Sequence, residues 1–387
     1  MDKVRGLISH DWKDAVPGLL LCIVFAILVM NVDTLLKSLD KAGVAWANLV
    51  YTQMQITYVA MLLLGGLIIR NVFGLPKVFL RGVAAARPVV KPGIVILGVH
   101  YVWFDVVKVG GVGLALTTLF IFGTALAVMF IAKRMGASDG LSGIMAAGTG
   151  ICGVSAIIAT APVVRAKPRD MCYAIGTILL FGTLMLFIFP YIGRALNLTE
   201  PQFGAWSAIA ILNTAQLIAA SEWYGVAARD TAVLINAARI MFIPLIVLLA
   251  LWFYVIRDSD SKVDENGQPE AAISNQMASV DKWQLIKEKF PVFILGFFAL
   301  VILNSLNISF LGGAKVEGSV FWAMDHAYKW FFAVGFAGIG MMISIDDMRK
   351  AGGKAFMIGF SAAVAKMVIG LLAVYLIGAE LLTVGGG

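Results

Sequence analysis

Charge is scarce in this chain. Of its 387 residues, 14% are Asp, Glu, Lys or Arg, where soluble domains carry about 25%. Without more polar residues a soluble fold could not cover its own core, so a large soluble domain is excluded. Histidines number three and cysteines three. The histidines are scattered, which excludes a metal site or a catalytic triad built on them. Cys22, Cys152 and Cys172 lie in apolar segments without ligand spacing, which argues against a zinc site and a disulfide framework. No GxGxxG marks a strand–helix junction and no P-loop with its Lys is present, so no ATP-driven engine and no enzyme site is expected. No cofactor is called for. The first 15 residues lack an apolar signal-peptide core and cleavage site, so the first apolar run reads as a retained span.

What is abundant is apolar. The chain is 60% hydrophobic with a mean hydropathy of +0.90, the signature of a polytopic membrane protein embedded in a lipid bilayer. Eleven apolar segments are read at 16–36, 48–70, 90–107, 111–133, 138–164, 171–193, 202–222, 227–256, 289–308, 319–345 and 355–380. The polar insert 257–288 reads as a flexible linker, and the terminal glycines as a disordered tail. The net charge of +7 is not a nucleic-acid signal, because Lys and Arg fall in the gaps between apolar runs. If all eleven segments cross with the N-terminus cytoplasmic, the inner gaps carry more than twice the Lys and Arg of the outer ones. That orientation puts the C-terminus outside. Arg165, Lys167 and Arg169 then sit on the wrong side. Re-entry of segments 5 and 7 would return them inside; crossing of segment 5 is the favoured reading.

Segment 5 holds "GTGICGVSA", Gly148 to Ala156. A helix-interior Gly costs about 1 kcal/mol relative to Ala, so three glycines in six residues argue for a helix that stops and restarts. Broken backbone at membrane depth survives only where protein or a water-filled cavity satisfies it. Thr149, Gly150, Cys152, Gly153 and Ser155 are therefore candidates for binding an anion at the restarting helix. Tight helix packing is the alternative reading of the same glycines. A matching break is expected in segment 10, at Gly335, Gly338 and Gly340, giving a five-plus-five inverted repeat (48–193 and 202–380) with one extra N-terminal helix, 16–36. Asn213, Thr214 and Gln216 cluster in segment 7, and Asn236 and Arg239 in segment 8. They read as contacts or gates, against interhelical hydrogen bonding for the amides and snorkelling for the Arg. His100 is placed at middle depth in segment 3.

The stretches 148–166, 181–190, 203–220, 236–244, 302–307 and 335–355 resemble the sulfate exporter family of bacterial inner-membrane proteins. The resemblance implies a secondary transporter of ten to eleven helices, similar in fold to the cation/proton antiporter and bile-acid transporter superfamily. In that fold two crossing broken helices move elevator-like against a panel. It implies export of sulfate- or sulfite-type anions, and a homodimer is compatible with it. This chain departs from the family at Leu212 and Asn213, where relatives carry His and an acid, at Asn236, where they carry Lys, and at His100, where they carry Arg. The paired loss of acid and Lys suggests one constellation and puts proton coupling through it in doubt. Na⁺ coupling and an anion channel are the rival readings.

Overall fold

The computed structural model describes residues 14–53, 56–253, 292–306, 318–345, 353–378 and 381–382. The linker 257–288 and the terminal glycines lie outside the described residues. Those described are helical without a strand. The main elements in chain order are α1 (Val16–Lys41), α2 (Tyr58–Ile68), α3 (Lys77–Ala86), α4 (Val90–Ile96), α5 (Trp103–Arg134), α6 (Asp139–Gly150) and α7 (Val154–Thr160). There follow α8 (Pro168–Ala195), α9 (Glu200–Ala210), α10 (Thr214–Tyr224), α11 (Val226–Met241) and α12 (Ile243–Leu251). The last are α13 (Phe293–Ser305), α14 (Val320–Met342) and α15 (Lys354–Ile377). Among the described residues, six runs are long and apolar enough to cross a membrane: Val16–Lys41, Lys77–His100, Val106–Arg134, Pro168–Ala195, Val226–Leu251 and Lys354–Ile377. The chain is a multi-pass membrane protein.

One expected boundary moves. The third apolar run is Lys77–His100 rather than 90–107, which puts His100 at its end and not at middle depth. The stretch around Arg81, read as a gap, is helical because α3 is amphipathic. Gly82, Val83 and Ala86 are buried, while Lys77 and Arg81 stay exposed.

The chain forms two compact units, interleaved in sequence. The first comprises residues 1–100 and 296–345, the second 101–295 and 346–387. In the first, α14 packs against α1 to α4. The break expected in segment 10 is absent: α14 stays helical through Gly335, Gly338 and Gly340. Those glycines serve close approach instead. A Cβ on Gly340 would lie 2.7 Å from the Leu62 carbonyl oxygen, and one on Gly338 would lie 2.8 Å from Ala86. On Gly335 it would strike Val90 at 2.3 Å. Small residues let membrane helices approach in this way. The helix ends only at Ile343, where the Asn71 amide donates to its carbonyl (2.8 Å) and accepts from the Ile345 N–H (2.8 Å).

In the second unit, segment 5 does not cross. Ile151, Cys152 and Gly153 turn the chain, with Gly153 at φ +80°, a conformation natural to glycine. After the turn α7 folds back on α6. A Cβ on Gly148 would lie 2.8 Å from the Ile157 side chain, and one on Gly140 would lie 2.9 Å from the Ala166 Cα. A broken but straight helix would hold 140 and 166 tens of ångströms apart. The favoured crossing of segment 5 is thus corrected to a re-entrant hairpin. Ser138 and Asp170, just outside its two arms, share a hydrogen bond of 2.9 Å.

Segment 7 is a second hairpin. Residues 211–213 are non-helical between α9 and α10. The arms are joined by Ser207 Oγ and Ser221 Oγ (2.6 Å), by stacked Phe203 and Tyr224 rings (3.8 Å), and by Tyr224 donating to the Leu198 carbonyl (2.7 Å). The two hairpins enter from opposite ends of the unit. Lys354, which begins α15, reaches Gly136 at the base of the first hairpin. Tyr375, near the end of α15, donates to Leu196 at the base of the second (2.9 Å).

Candidate functional site

Arm length fixes where the hairpin tips lie. With 12 residues in α6 and 11 in each of α9 and α10, the arms are about 16–18 Å long at 1.5 Å per residue. That is roughly half the ~30 Å hydrocarbon thickness. Two hairpins entering from opposite ends therefore meet near the middle, and their tips touch. A Cβ on Gly153 would stand 2.9 Å from the Leu212 carbonyl oxygen and 3.3 Å from the Asn213 Cα. The partner of the first break is thus the Asn-bearing turn of segment 7 and not the glycines of segment 10. Gly335, Gly338 and Gly340 belong to the other unit.

Each first arm ends at a tip with carbonyls that lack a helical partner, and a buried cation meets them at each. Arg239 of α11 donates through Nη1 to the carbonyls of Ala208 (2.5 Å) and Ile211 (3.1 Å), at the end of α9. Lys366 of α15 donates through Nζ to the Thr149 carbonyl (2.8 Å), at the end of α6. Both side chains are buried. Among the described residues no ion pair joins either to a carboxylate. Cations at helix C-termini are favourable. The dipole end offsets only about half of a unit charge, and no carboxylate supplies the rest among the described residues. Lys366 was missed at the level of sequence. Its signal was present: a lone Lys inside the apolar run "SAAVAKMVIG".

The sequence candidates divide by what they touch. Asn213 caps α10, its side-chain oxygen accepting from the Ala215 N–H (3.2 Å). Thr214 donates to Asn236 Oδ1 (3.2 Å), which ties the second hairpin to α11. Gln216 donates to the Leu179 carbonyl (3.2 Å) and to Thr183 Oγ1 (2.7 Å) on α8. These are interhelical hydrogen bonds between α10 and α8. Thr149 uses its hydroxyl on the Met145 carbonyl (2.7 Å) and has only backbone to offer at the tip. Gly150 and Cys152 are buried, while Ser155 is exposed and Thr214 partly so, on the accessible side of the tips.

Four buried atoms at the second tip have no hydrogen-bond partner: Asn213 Nδ2, Gln216 Oε1, Arg239 Nε and Arg239 Nη2. Three of the four are donors, and two are on a guanidinium. An unmade buried hydrogen bond costs about 1–3 kcal/mol, and buried polar groups are otherwise nearly always satisfied. Donors and residual positive charge at one point complement an acceptor-rich anion. Among the described residues no His, Cys, Asp and Glu group could hold a metal ion.

The fold and its paired hairpins define a class: a multi-pass helical membrane protein whose core encloses a polar, cation-bearing centre. Its family follows from comparison. The chain belongs to the family described as conserved hypothetical protein 698, which matches residues 17–359. It is 36% identical over 363 residues to a UPF0324 membrane protein of Nitratidesulfovibrio vulgaris, covering 94% of this chain and 93% of that relative. A second protein of that name and organism is 34% identical over 378 residues, covering 95% and 96%. One from Bacillus cereus is 29% identical over 315 residues, covering 81% and 82%. These names specify a membrane protein and no cargo. No solved structure matches the chain.

Proposed function

We propose that this protein is a secondary active transporter of a small anion, a carrier and not an enzyme. Sulfate, sulfite or a small organosulfonate is the cargo that the resemblance noted above favours. The observation that carries the reading is the meeting of two hairpin tips around Arg239 and Lys366, with buried donors left unpaired. Opposed half-helices at membrane depth are a recurrent way of building a carrier site. In this reading the second unit carries the site as an elevator and works in export. The protein resides in the bacterial inner membrane, with the N-terminus cytoplasmic and the C-terminus outside. Re-entry of both hairpins places Arg165, Lys167 and Arg169 on the cytoplasmic side, which the positive-inside tendency supports. Coupling is to H⁺ or Na⁺, and a homodimer is the proposed assembly.

The test is counterflow in proteoliposomes, with thermal shift of the purified protein, against sulfate, sulfite, thiosulfate, taurine, sulfoacetate and carboxylates. Each is run with and without Na⁺ and a pH gradient. Saturable anion exchange lost in Arg239→Gln is expected. Saturable uptake of a cation or a neutral solute, with no response to any anion, sinks the proposal. High conductance without saturation identifies a channel instead.

A further inference from the structure

The second unit carries two further features beside the hairpin tips, and they lie in line with each other along α15. The first is a cleft of about 670 Å³ where the 136–138 turn, the start of α8 and the start of α15 converge. Lys167, Arg169 and Lys354 line it, with Asp170 as the one carboxylate among its lining residues. Asp170 accepts from Ser138 (2.9 Å). Arg169 donates to Tyr173 (3.1 Å), and Lys354 to the Gly136 carbonyl. Among the described residues none of the three cations is ion-paired. The cleft sits at the ends of three apolar helices, which is the level of the membrane–water interface.

The second feature is an apolar groove of about 270 Å³ between α5 and α15. It is bounded by Leu119 to Ile131 on one helix and Ser361 to Ile369 on the other. Ile131 is five residues from Gly136. Ser361 is seven from Lys354, or about 10 Å along α15. The groove thus begins about two helical turns below the cleft. From Ser361 to Ile369 it runs about 12 Å, near the ~15 Å depth of one leaflet's hydrocarbon. Leu119 and Ile369 at its deep end are exposed apolar residues, 66% and 55% accessible.

A basic head space with an apolar groove about two helical turns below it on the same helix, α15, matches one kind of ligand. We propose that cleft and groove together hold a single anionic phospholipid, its phosphate among Lys167, Arg169 and Lys354 and one acyl chain between α5 and α15. An ammonium has three donors, so Lys354 keeps two for phosphate oxygens after serving Gly136. The groove wall includes the stem of Lys366, whose ammonium caps the first hairpin. The lipid therefore braces the helix that supports the tip.

The experiment uses the full chain, purified in neutral detergent, with lipid binding followed by native mass spectrometry and thermal shift. Phosphatidylglycerol and phosphatidylcholine of equal acyl chains are compared, with glycerol phosphate as the head without chains. Each basic residue near a membrane surface favours anionic lipid about fivefold. Phosphatidylglycerol is therefore expected to bind about a hundredfold tighter than phosphatidylcholine. Lys167→Gln, Arg169→Gln and Lys354→Gln should each lower that preference about fivefold, and the triple variant should abolish it. Gly123 lines the groove and a Cβ there would meet nothing within 4 Å, so Gly123→Leu fills the groove while folding normally. It should weaken both lipids and leave the preference for the anionic head. Equal binding of the two lipids to the natural protein overturns the proposal, as does a triple variant that keeps the preference. Glycerol phosphate binding as tightly as phosphatidylglycerol would assign the cleft to a soluble anion and also overturn it.

Discussion

Gly153→Ala is the perturbation that bears most directly on the hairpin contact. Gly153 has φ +80° and ψ −118°, a region that L-residues rarely occupy, and holding alanine there costs about 1–3 kcal/mol. The added methyl would also lie 2.9 Å from the Leu212 carbonyl oxygen, 2.9 Å from an Ile178 methyl and 3.3 Å from the Asn213 Cα. Two of those atoms are backbone of the opposing hairpin, so relief requires the tips to part. Overpacking of this kind costs about 1–3 kcal/mol, for a total of about 2–6 kcal/mol. At roughly 2–4 °C per kcal/mol for units of 150–250 residues, the melting temperature should fall by at least about 4 °C. Anion-induced stabilisation should shrink with it. Gly123→Ala is the control, because its Cβ enters open space within a helix, and it should be neutral or stabilising by up to about 1 kcal/mol. Thermal unfolding of both variants, with and without ligand, decides. If Gly153→Ala melts and binds like Gly123→Ala, the tips do not meet as described.

Other consequences are read by different methods. Gly340→Ala should destabilise the first unit by about 1–3 kcal/mol without altering anion affinity, since its Cβ would strike Leu62 and Leu63 backbone; changed affinity at normal stability would contradict the packing role. Ser207→Cys with Ser221→Cys should form a disulfide on mild oxidation, because the two hydroxyl oxygens stand 2.6 Å apart; no cross-link would refute the second hairpin's fold. Hydrogen exchange should be slower in the second hairpin than in the first. The second is held by the Ser207–Ser221 bond, the Phe203–Tyr224 stack and Trp206 donating to Met367 (2.9 Å), while α7 exposes Ser155 and Ile158. Equal protection would remove that distinction.

The sequence announced the first break because glycine makes it. It concealed the second for the same reason: residues 211–213 are Ile, Leu and Asn, and their turn rests on Asn213 capping α10. Counting glycines led instead to α14, where they serve helix contact. Re-entry was not decided by length, since 138–164 is long enough to cross, and both topologies leave the chain ends on the same sides. What distinguishes them is the approach of Gly140 to Ala166 and of Gly148 to Ile157, which are tertiary contacts. The charged residues were more legible. Arg239 was singled out from position alone, and its carbonyl partners on α9 supply the reason for its burial. Lys366 carries the same mark, a charged residue within an apolar run.

Whether two opposed re-entrant hairpins build the site is tested most directly by the sidedness of labelling. With the exposed Cys172 replaced by Ser, single cysteines are introduced as Ser138→Cys, Lys167→Cys and Asn197→Cys. They are probed with a membrane-impermeant maleimide from each face of sealed vesicles. Positions 138 and 167 should label from one face and 197 from the other. Labelling of 138 and 167 from opposite faces would make segment 5 a crossing helix and contradict the site built on its return.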